Sequence, residues 1–480
     1  MTTETIPYIG FEEYSEHIPQ TIPAAVQQAT SRFVGGRAAR VSELPHWEQL
    51  RQIASDIRLH TIDNMDIYLN RFVEKVQAAG GIVHWAATAE DARQIVLQIA
   101  KEHNVKLAVK AKSMATEEIE LNHALQAAGI EALETDLGEY IIQLAGTGPS
   151  HIIVPAVHLK KEEIAALFSE KLHMNAPSDP IELARIAREK LREKFLSAEM
   201  GVSGANFLVA ETGTMVMVTN EGNGRMCTSM PDLHVAVVGI DKIIPDWESL
   251  TVFLKLLARS ATGQKLSTYT QFITGPRREE GEFGPKEFHL VLLDNGRSKI
   301  MKDPIGRQVF KCIRCGACEN VCPVYKNVGG FAYGYFISGP IGAIFAPQML
   351  GTQVARELPY ASTLCGACAD VCPVKIPIPT ILRHLRRRVA QGDEVAGPSM
   401  PVPIRAMAGM ASMALGWNWI YRFGTGILPF FMSVFKRGEW IPSAPYPLNR
   451  WTKARPLPPF NASFRNWWRA HSRVARENTK

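Results

Sequence analysis

No run of apolar residues in this 480-residue chain reaches the roughly 20 needed to cross a bilayer as a helix. Near the end of the chain, residues 406–421 and 423–435 are uncharged and largely apolar, parted by Arg422. They fit a helical hairpin over a core, or an interfacial helix, better than a span. Residues 1–20 have no apolar leader region, so no export is expected. There is no Walker A run and no credible G-x-G-x-x-G, so no nucleotide or flavin site is expected. There is no H-E-x-x-H; His84, His151, His158 and His234 are scattered and read as core or surface residues. Basic and aromatic residues are not interleaved on a recognisable nucleic-acid module, which argues against such a partner. Acidic residues nearly vanish at the end. Residues 401–480 hold twelve Lys or Arg against two Glu, a charge of +10 in a chain whose total is +6. Such a tail suits an acidic membrane surface or an acidic subunit.

Cysteine is scarce, eight in all, and seven of the eight are crowded into two runs. The first is Cys312-Ile-Arg-Cys315-Gly-Ala-Cys318-Glu-Asn-Val-Cys322-Pro323. The second is Cys365-Gly-Ala-Cys368-Ala-Asp-Val-Cys372-Pro373. C-x2-C-x2-C-x3-C-P is the run of two-cluster ferredoxins, in which the fourth cysteine of one run ligates the other cluster. Structural zinc uses paired knuckles of four ligands and explains neither the four-cysteine run nor the prolines. A disulfide framework does not suit local cysteines in a long chain without a leader. A reducing compartment, the cytoplasm, is therefore expected.

The crossover pattern assigns Cys312, Cys315, Cys318 and Cys372 to cluster one. Cluster two receives Cys322, Cys365 and Cys368 and lacks one thiolate, because Ser362 stands where the second run's first cysteine belongs. Three outcomes fit: a [3Fe–4S] cluster, a [4Fe–4S] cluster with a non-cysteine or open position, or a ligand from elsewhere. Ser362 and the remote Cys227 are candidates, although a lone cysteine is more often a small buried hydrophobe.

The length predicts two or three domains. Residues 1–60 read as helical and polar. In 61–295, short apolar runs at 106–110, 151–155, 206–210, 215–219 and 234–238 read as buried strands. Amphipathic stretches at 89–102, 116–128 and 181–195 read as helices. Alternating strands and helices predict an α/β domain with a largely parallel sheet. Residues 300–390 hold the cysteine module, whose Gly- and aromatic-rich 329–340 segment predicts a loop packed on cluster two. A basic helix follows at 377–388, either a solvated surface or a docking face for an acidic partner. Residues 391–480 read as apolar, then Pro-rich, basic and irregular, ending in an extended arm over 451–468.

Other candidate chemistry is thinner. Glu211-Thr-Gly-Thr214 reads as a tight turn, with Glu211 a conceivable nucleophile or base. Glu221-Gly-Asn-Gly-Arg225 reads as a turn able to cradle an anion. Asp136 is placed to cap a helix.

With these residues in hand, the chain resembles the lactate utilization protein B family. The likeness runs through Glu134-Thr-Asp-Leu-Gly-Glu139, Ala210-Glu-Thr-Gly-Thr214, Asn220-Glu-Gly-Asn-Gly-Arg225, both cysteine runs, Gly339-Pro-Ile-Gly342 and the Trp451 to Trp468 tail. It implies an α/β lactate-utilization domain, related to sugar-phosphate isomerase and coenzyme A transferase folds. It implies an α-helical, two-cluster ferredoxin-like module after it, with two [4Fe–4S] clusters expected. It also implies two partner subunits in an L-lactate oxidation system. In that family too the second run lacks its first cysteine. The expectation is an electron-transfer subunit that delivers single electrons to a quinone-linked or other acceptor, cytoplasmic or peripheral on the inner face of the membrane. The rivals are an acyl- or CoA-transferase using Glu211, with structural clusters, and a scaffold.

Overall fold

The computed structural model describes residues 10–19, 21–392, 400–446, 448–453, 455–458 and 467–468. The chain forms two compact units, Met1–Ser399 and Met400–Lys480.

Among the described residues, ten strands lie in the first unit: β1 (Ile82–Ala86), β2 (Leu107–Lys110), β3 (Glu131–Glu134), β4 (Met200–Ser203), β5 (Phe207–Val209), β6 (Thr214–Thr219), β7 (Leu233–Gly239), β8 (Ile243–Ile244), β9 (Tyr269–Ile273) and β10 (Glu287–Leu293). Six form one sheet in the order β1-β10-β7-β4-β2-β3, and every neighbouring pair is parallel. Strands β2, β4 and β7 are buried along their whole length. That is the signature of a parallel sheet covered on both faces, as expected of this domain. A smaller sheet, β8-β5-β6-β9, joins a β5–β6 hairpin to two flanking strands. Its turn is Glu211–Thr214. Gly213 is required there: its φ is +70°, and a Cβ would lie 2.7 Å from the Val76 nitrogen.

The helix expected at 89–102 forms over Ala89–Glu102. Thr88 Oγ1 accepts from Asp91 N–H, and an Asp91 carboxylate oxygen accepts from Thr88 N–H. The helix expected at 181–195 runs from Pro180 to Ser197 under an Asp179 cap. The stretch 116–128 is not one helix. It breaks into Met114–Glu118 and Leu121–Ala127, with Glu120 left-handed at φ +50°. Ile119 and Leu121 are both fully buried. On a continuous helix they would lie roughly 200° apart, and the break turns both inward.

His151–Pro155 is not a strand. His151 Nδ1 accepts from the backbone N–H groups of Ile153 and Val154, and Ser150 N–H donates to the Pro155 carbonyl. The segment closes on itself, and two of its amides go to a side chain rather than to a ladder.

Residues before the sheet form helices at Phe11–Glu16, Thr21–Ser42 and Trp47–Asp63. The cysteine module is built of short helices linked by turns, ending in the basic helix Ile378–Gln391. That helix buries Ile378, Ile381, Leu382, Leu385 and Val389. Its Arg386 holds the carbonyls of Pro359 and Ser362.

In the second unit the uncharged stretches at 406–421 and 423–435 lie on the helices Val402–Gly416 and Asn418–Ser433, as the helical reading of them expected. Trp417, Trp419, Phe423, Phe430 and Phe431 are exposed on it. The arm expected at 451–468 lies largely outside the described residues. Asn449–Thr452 form a helical turn rather than extended chain. No helix among the described residues is long and apolar enough to cross a membrane.

Candidate iron–sulfur centre

The two cysteine runs fold alike. Arg314 and Gly316 flank Cys315 with φ of +59° and +69°; Leu364 and Gly366 flank Cys365 with φ of +55° and +89°. Left-handed backbone on either side of a cysteine bends the chain around a point. Two non-glycine residues in that region mark strain of the kind held at functional sites.

Cys312, Cys315, Cys318 and Cys372 line one small cavity, walled by Ile152, Arg314, Ile341, Val374 and Ile376. The last cysteine of the second run thus faces the same cavity as the first three of the first. Backbone N–H groups aim at the sulfurs. Arg314 donates to Cys312 Sγ (3.3 Å), Ile376 to Cys372 Sγ (3.4 Å) and Tyr325 to Cys322 Sγ (3.5 Å). The other three cysteines form a second group. Burial pushes the Cys368 thiol up to about 12, and Cys322 and Cys365 push in the same direction. Burial raises Cys315 as well, with Cys372 and Cys312 adding to it. A buried thiol resists ionisation until a metal ion takes it as thiolate. The donor set fits two iron–sulfur clusters: thiolate sulfur, dry walls and amide donors.

Cations stand around the first group. Arg51 donates to the carbonyls of Cys372 (2.9 Å) and Ala369 (3.2 Å), and Arg37 to that of Val371 (2.9 Å). Lys311 Nζ donates to Ser55 Oγ and the Lys375 carbonyl. The sequence assigned no chemistry to residues 1–60. Their arginines clamp the second cysteine run, a role for which one sequence offers no signal.

A buried polar joint ties the first run to the α/β domain. Glu319, fully buried, accepts from Ser338 Oγ (2.6 Å) and Ile152 N–H (3.2 Å). His151 Nε2 lies 3.1 Å from Asn320 Oδ1. Beneath it, Arg297 binds Glu118 and Asp241, each at 2.6 Å, and all three side chains are almost wholly buried. Burial opposes ionisation of Asp241, but Lys242, Arg297 and Arg314 hold its carboxyl well below the usual range. Arg58 reaches from the helix Trp47–Asp63 to the carbonyls of Asp241, Ile243 and Phe310, two residues before Cys312.

The remaining candidates fall away from the cavity. Cys227 is buried in the α/β core, with Sγ 3.3 Å from Thr135 Oγ1, and burial pushes it up to about 12. Ser362 lies three residues before Cys365, and its Oγ accepts from Leu364 N–H at 3.1 Å. Glu211 accepts from Trp247 N–H at the start of a helix. Glu221 accepts from Leu137 N–H, and the Asn223–Ser229 helix follows it at once. Asp136 caps the helix Leu137–Ala145, as expected. His158 packs on Phe331 and His234 on Phe288, both as structural residues.

Comparison with known proteins agrees with this architecture. A LUD domain matches residues 69–293, and a 4Fe-4S dicluster domain matches 308–376. Lactate utilization protein B of Macrococcus caseolyticus is 45% identical over 447 residues, covering 92% of this chain and 93% of its own. Its namesakes in Shouchella clausii and Bacillus thuringiensis are each 44% identical, covering 94% of both chains. The chain belongs to the lactate utilization protein B family. A solved DUF162 family protein from Deinococcus radiodurans, 14% identical, covers 48% of this chain and 98% of its own at a TM-score of 0.27, too low to bear on the fold.

Proposed function

We propose that this chain is the iron–sulfur electron-transfer subunit of an L-lactate oxidation complex with two other subunits. The observation that carries it is that Cys372, from the second run, lines one cavity with Cys312, Cys315 and Cys318. When bound, two neighbouring clusters supply one-electron transfer. The chain's own residues do the rest. Cys312, Cys315, Cys318 and Cys372 hold cluster one; Cys322, Cys365 and Cys368 hold cluster two. Ile152, Ile341 and Ile376 keep water from the first cavity. Arg37, Arg51 and Lys311 fix the backbone of the second run and temper the negative charge of the thiolates. The acceptor is a partner or a quinone-linked carrier. The reading based on Glu211 is weaker, because that carboxylate is spent on a helix start. Purified complex given L-lactate and a dye acceptor should reduce the dye. Acyl-CoA and a free acid should give no exchange, and exchange that survives Glu211→Ala would also dismiss that rival.

Cluster two has three thiolates, and its cysteine Cys365 is exposed. Its uncovered iron is expected to leave first. Mild air exposure should convert it to a three-iron form with a [3Fe–4S]⁺ resonance while cluster one persists. Ser362→Cys should slow that conversion several-fold. If Cys227→Ala changes the lability and Ser362→Cys does not, the fourth ligand comes from the α/β core.

The Met400–Lys480 unit combines exposed aromatics with the +10 tail. We assign it to attachment, at the inner face of the membrane or on an acidic subunit, in the cytoplasm. Removal of residues 401–480 should leave both cluster spectra in place and abolish salt-sensitive association, since exposed charges are screened beyond roughly 10 Å at 0.1 M salt. Association unchanged by the truncation would refute the assignment.

A further inference from the structure

His84, His103, Glu287 and His289 meet at the amino-terminal edge of the parallel sheet, away from both cysteine runs in sequence. Glu287 and His289 share a face of β10, and His103 closes the helix Ala89–Glu102. His103 Nε2 and His289 Nε2 each lie 3.4 Å from Glu287 Oε2, and one ligand atom from each residue falls within 4.8 Å of the others. Zinc ligands at about 2.0–2.1 Å, placed at tetrahedral corners, are roughly 3.3–3.4 Å apart. Both measured separations match that edge. The second shell is also built. His289 Nδ1 lies 3.0 Å from His84 Nε2, with the rings stacked, so an Nδ1–H on a His289 bound to metal through Nε2 would have His84 as its acceptor. Metal-bound histidines regularly hand their second ring N–H to such a partner.

We propose that His103, Glu287 and His289 bind a divalent zinc ion, with His84 orienting His289 and the fourth position open to solvent. The test uses the full chain, loaded anaerobically with its clusters and dialysed against zinc chloride. One added zinc per chain is expected, with a first shell of nitrogen and oxygen only in Zn-edge absorption. His103→Gln should weaken uptake at least tenfold, and His84→Phe by about 10–100-fold. Glu287→Gln serves as a second surface variant should a buried histidine change impair folding. Uptake unaltered by His103→Gln and Glu287→Gln, or a sulfur shell near 2.3 Å showing zinc on the cysteines, would overturn the site.

A second, independent observation concerns Tyr333. Its side chain is fully buried and its hydroxyl has no hydrogen-bond partner among the described residues. Few buried polar groups are left so. The ring packs edge-on against Phe11 and lies 6.4 Å from the ring of Tyr325, whose N–H donates to Cys322 Sγ. Burial pushes the Tyr333 hydroxyl up, and Cys322, Glu319, Cys318 and Cys368 are near enough to push it the same way. We infer that the Tyr333 O–H donates to a sulfur of cluster two, a positioning role that rests on the two-cluster reading above. Donors to cluster sulfurs favour the reduced, more negative state and so raise the potential. Tyr333→Phe keeps the ring and removes only the donor. Iron and sulfide content and the cluster-one resonance should stay unchanged. Cluster two should become about tenfold harder to reduce, a shift of about 59 mV for one electron. An unchanged cluster-two potential, or loss of one of its irons showing that the oxygen is a ligand, overturns the inference. Parent protein free of iron and sulfide overturns instead the reading beneath it.

Discussion

Cys372→Ala is expected to abolish the same cluster as Cys312→Ala, although sixty residues and a different run separate them. Each variant should lose about half of the iron and sulfide, and the surviving resonance should be the same in both. Cys368→Ala, only four residues before Cys372, should remove the other resonance. The expectation follows from one cavity. Cys372 lines it with Cys312, Cys315 and Cys318, while Cys368 answers to Cys322 and Cys365. Arg51 and the Ile376 amide fix the carbonyl and sulfur of Cys372. Paramagnetic resonance of the reduced variants decides it: different clusters lost in Cys372→Ala and Cys312→Ala would dismiss the crossover.

Arg297→Met should be the most damaging change outside the cysteines. The methionine keeps much of the length and removes the charge. Glu118 and Asp241 then remain buried without their common cation. Removing one partner of a buried ion pair costs about 3–5 kcal/mol, and here two carboxylates lose theirs. Asp241 retains Lys242 at 3.7 Å, which limits the loss on that side. Because the Asp241 carbonyl holds Arg58, and Arg58 holds Phe310, the damage should reach cluster one. Chemical denaturation and iron retention together check this. A variant within about 1 kcal/mol of the parent, with full iron, would show that the network contributes little.

The 4Fe-4S module was legible in the sequence because ligand spacing is a local property. The parallel sheet was legible from alternating apolar strands and amphipathic helices. Strands β1, β3, β4, β8, β9 and β10 were not singled out. β9 is a half-exposed strand of mixed residues. β3 and β4 have four residues each, too few for a period to stand out. The run at 151–155 misled because β-branched residues suit a strand, whereas the neighbouring histidine takes two of its amides. The break at Glu120 depends on two side chains finding core on opposite sides, which only the tertiary structure decides. Arg37, Arg51, Arg58, Tyr333 and the three-histidine group carry no local pattern at all. They are assembled from segments up to 334 residues apart, as in the Arg37 to Val371 contact.

The most direct test of the central claim is freeze-quenched paramagnetic resonance of the complete complex after L-lactate is added without air. The account predicts that resonances of both reduced clusters of this chain appear as pyruvate forms, and that they disappear when an acceptor is supplied. Pyruvate formation with both clusters remaining oxidised, and unaffected by Cys372→Ala, would contradict it.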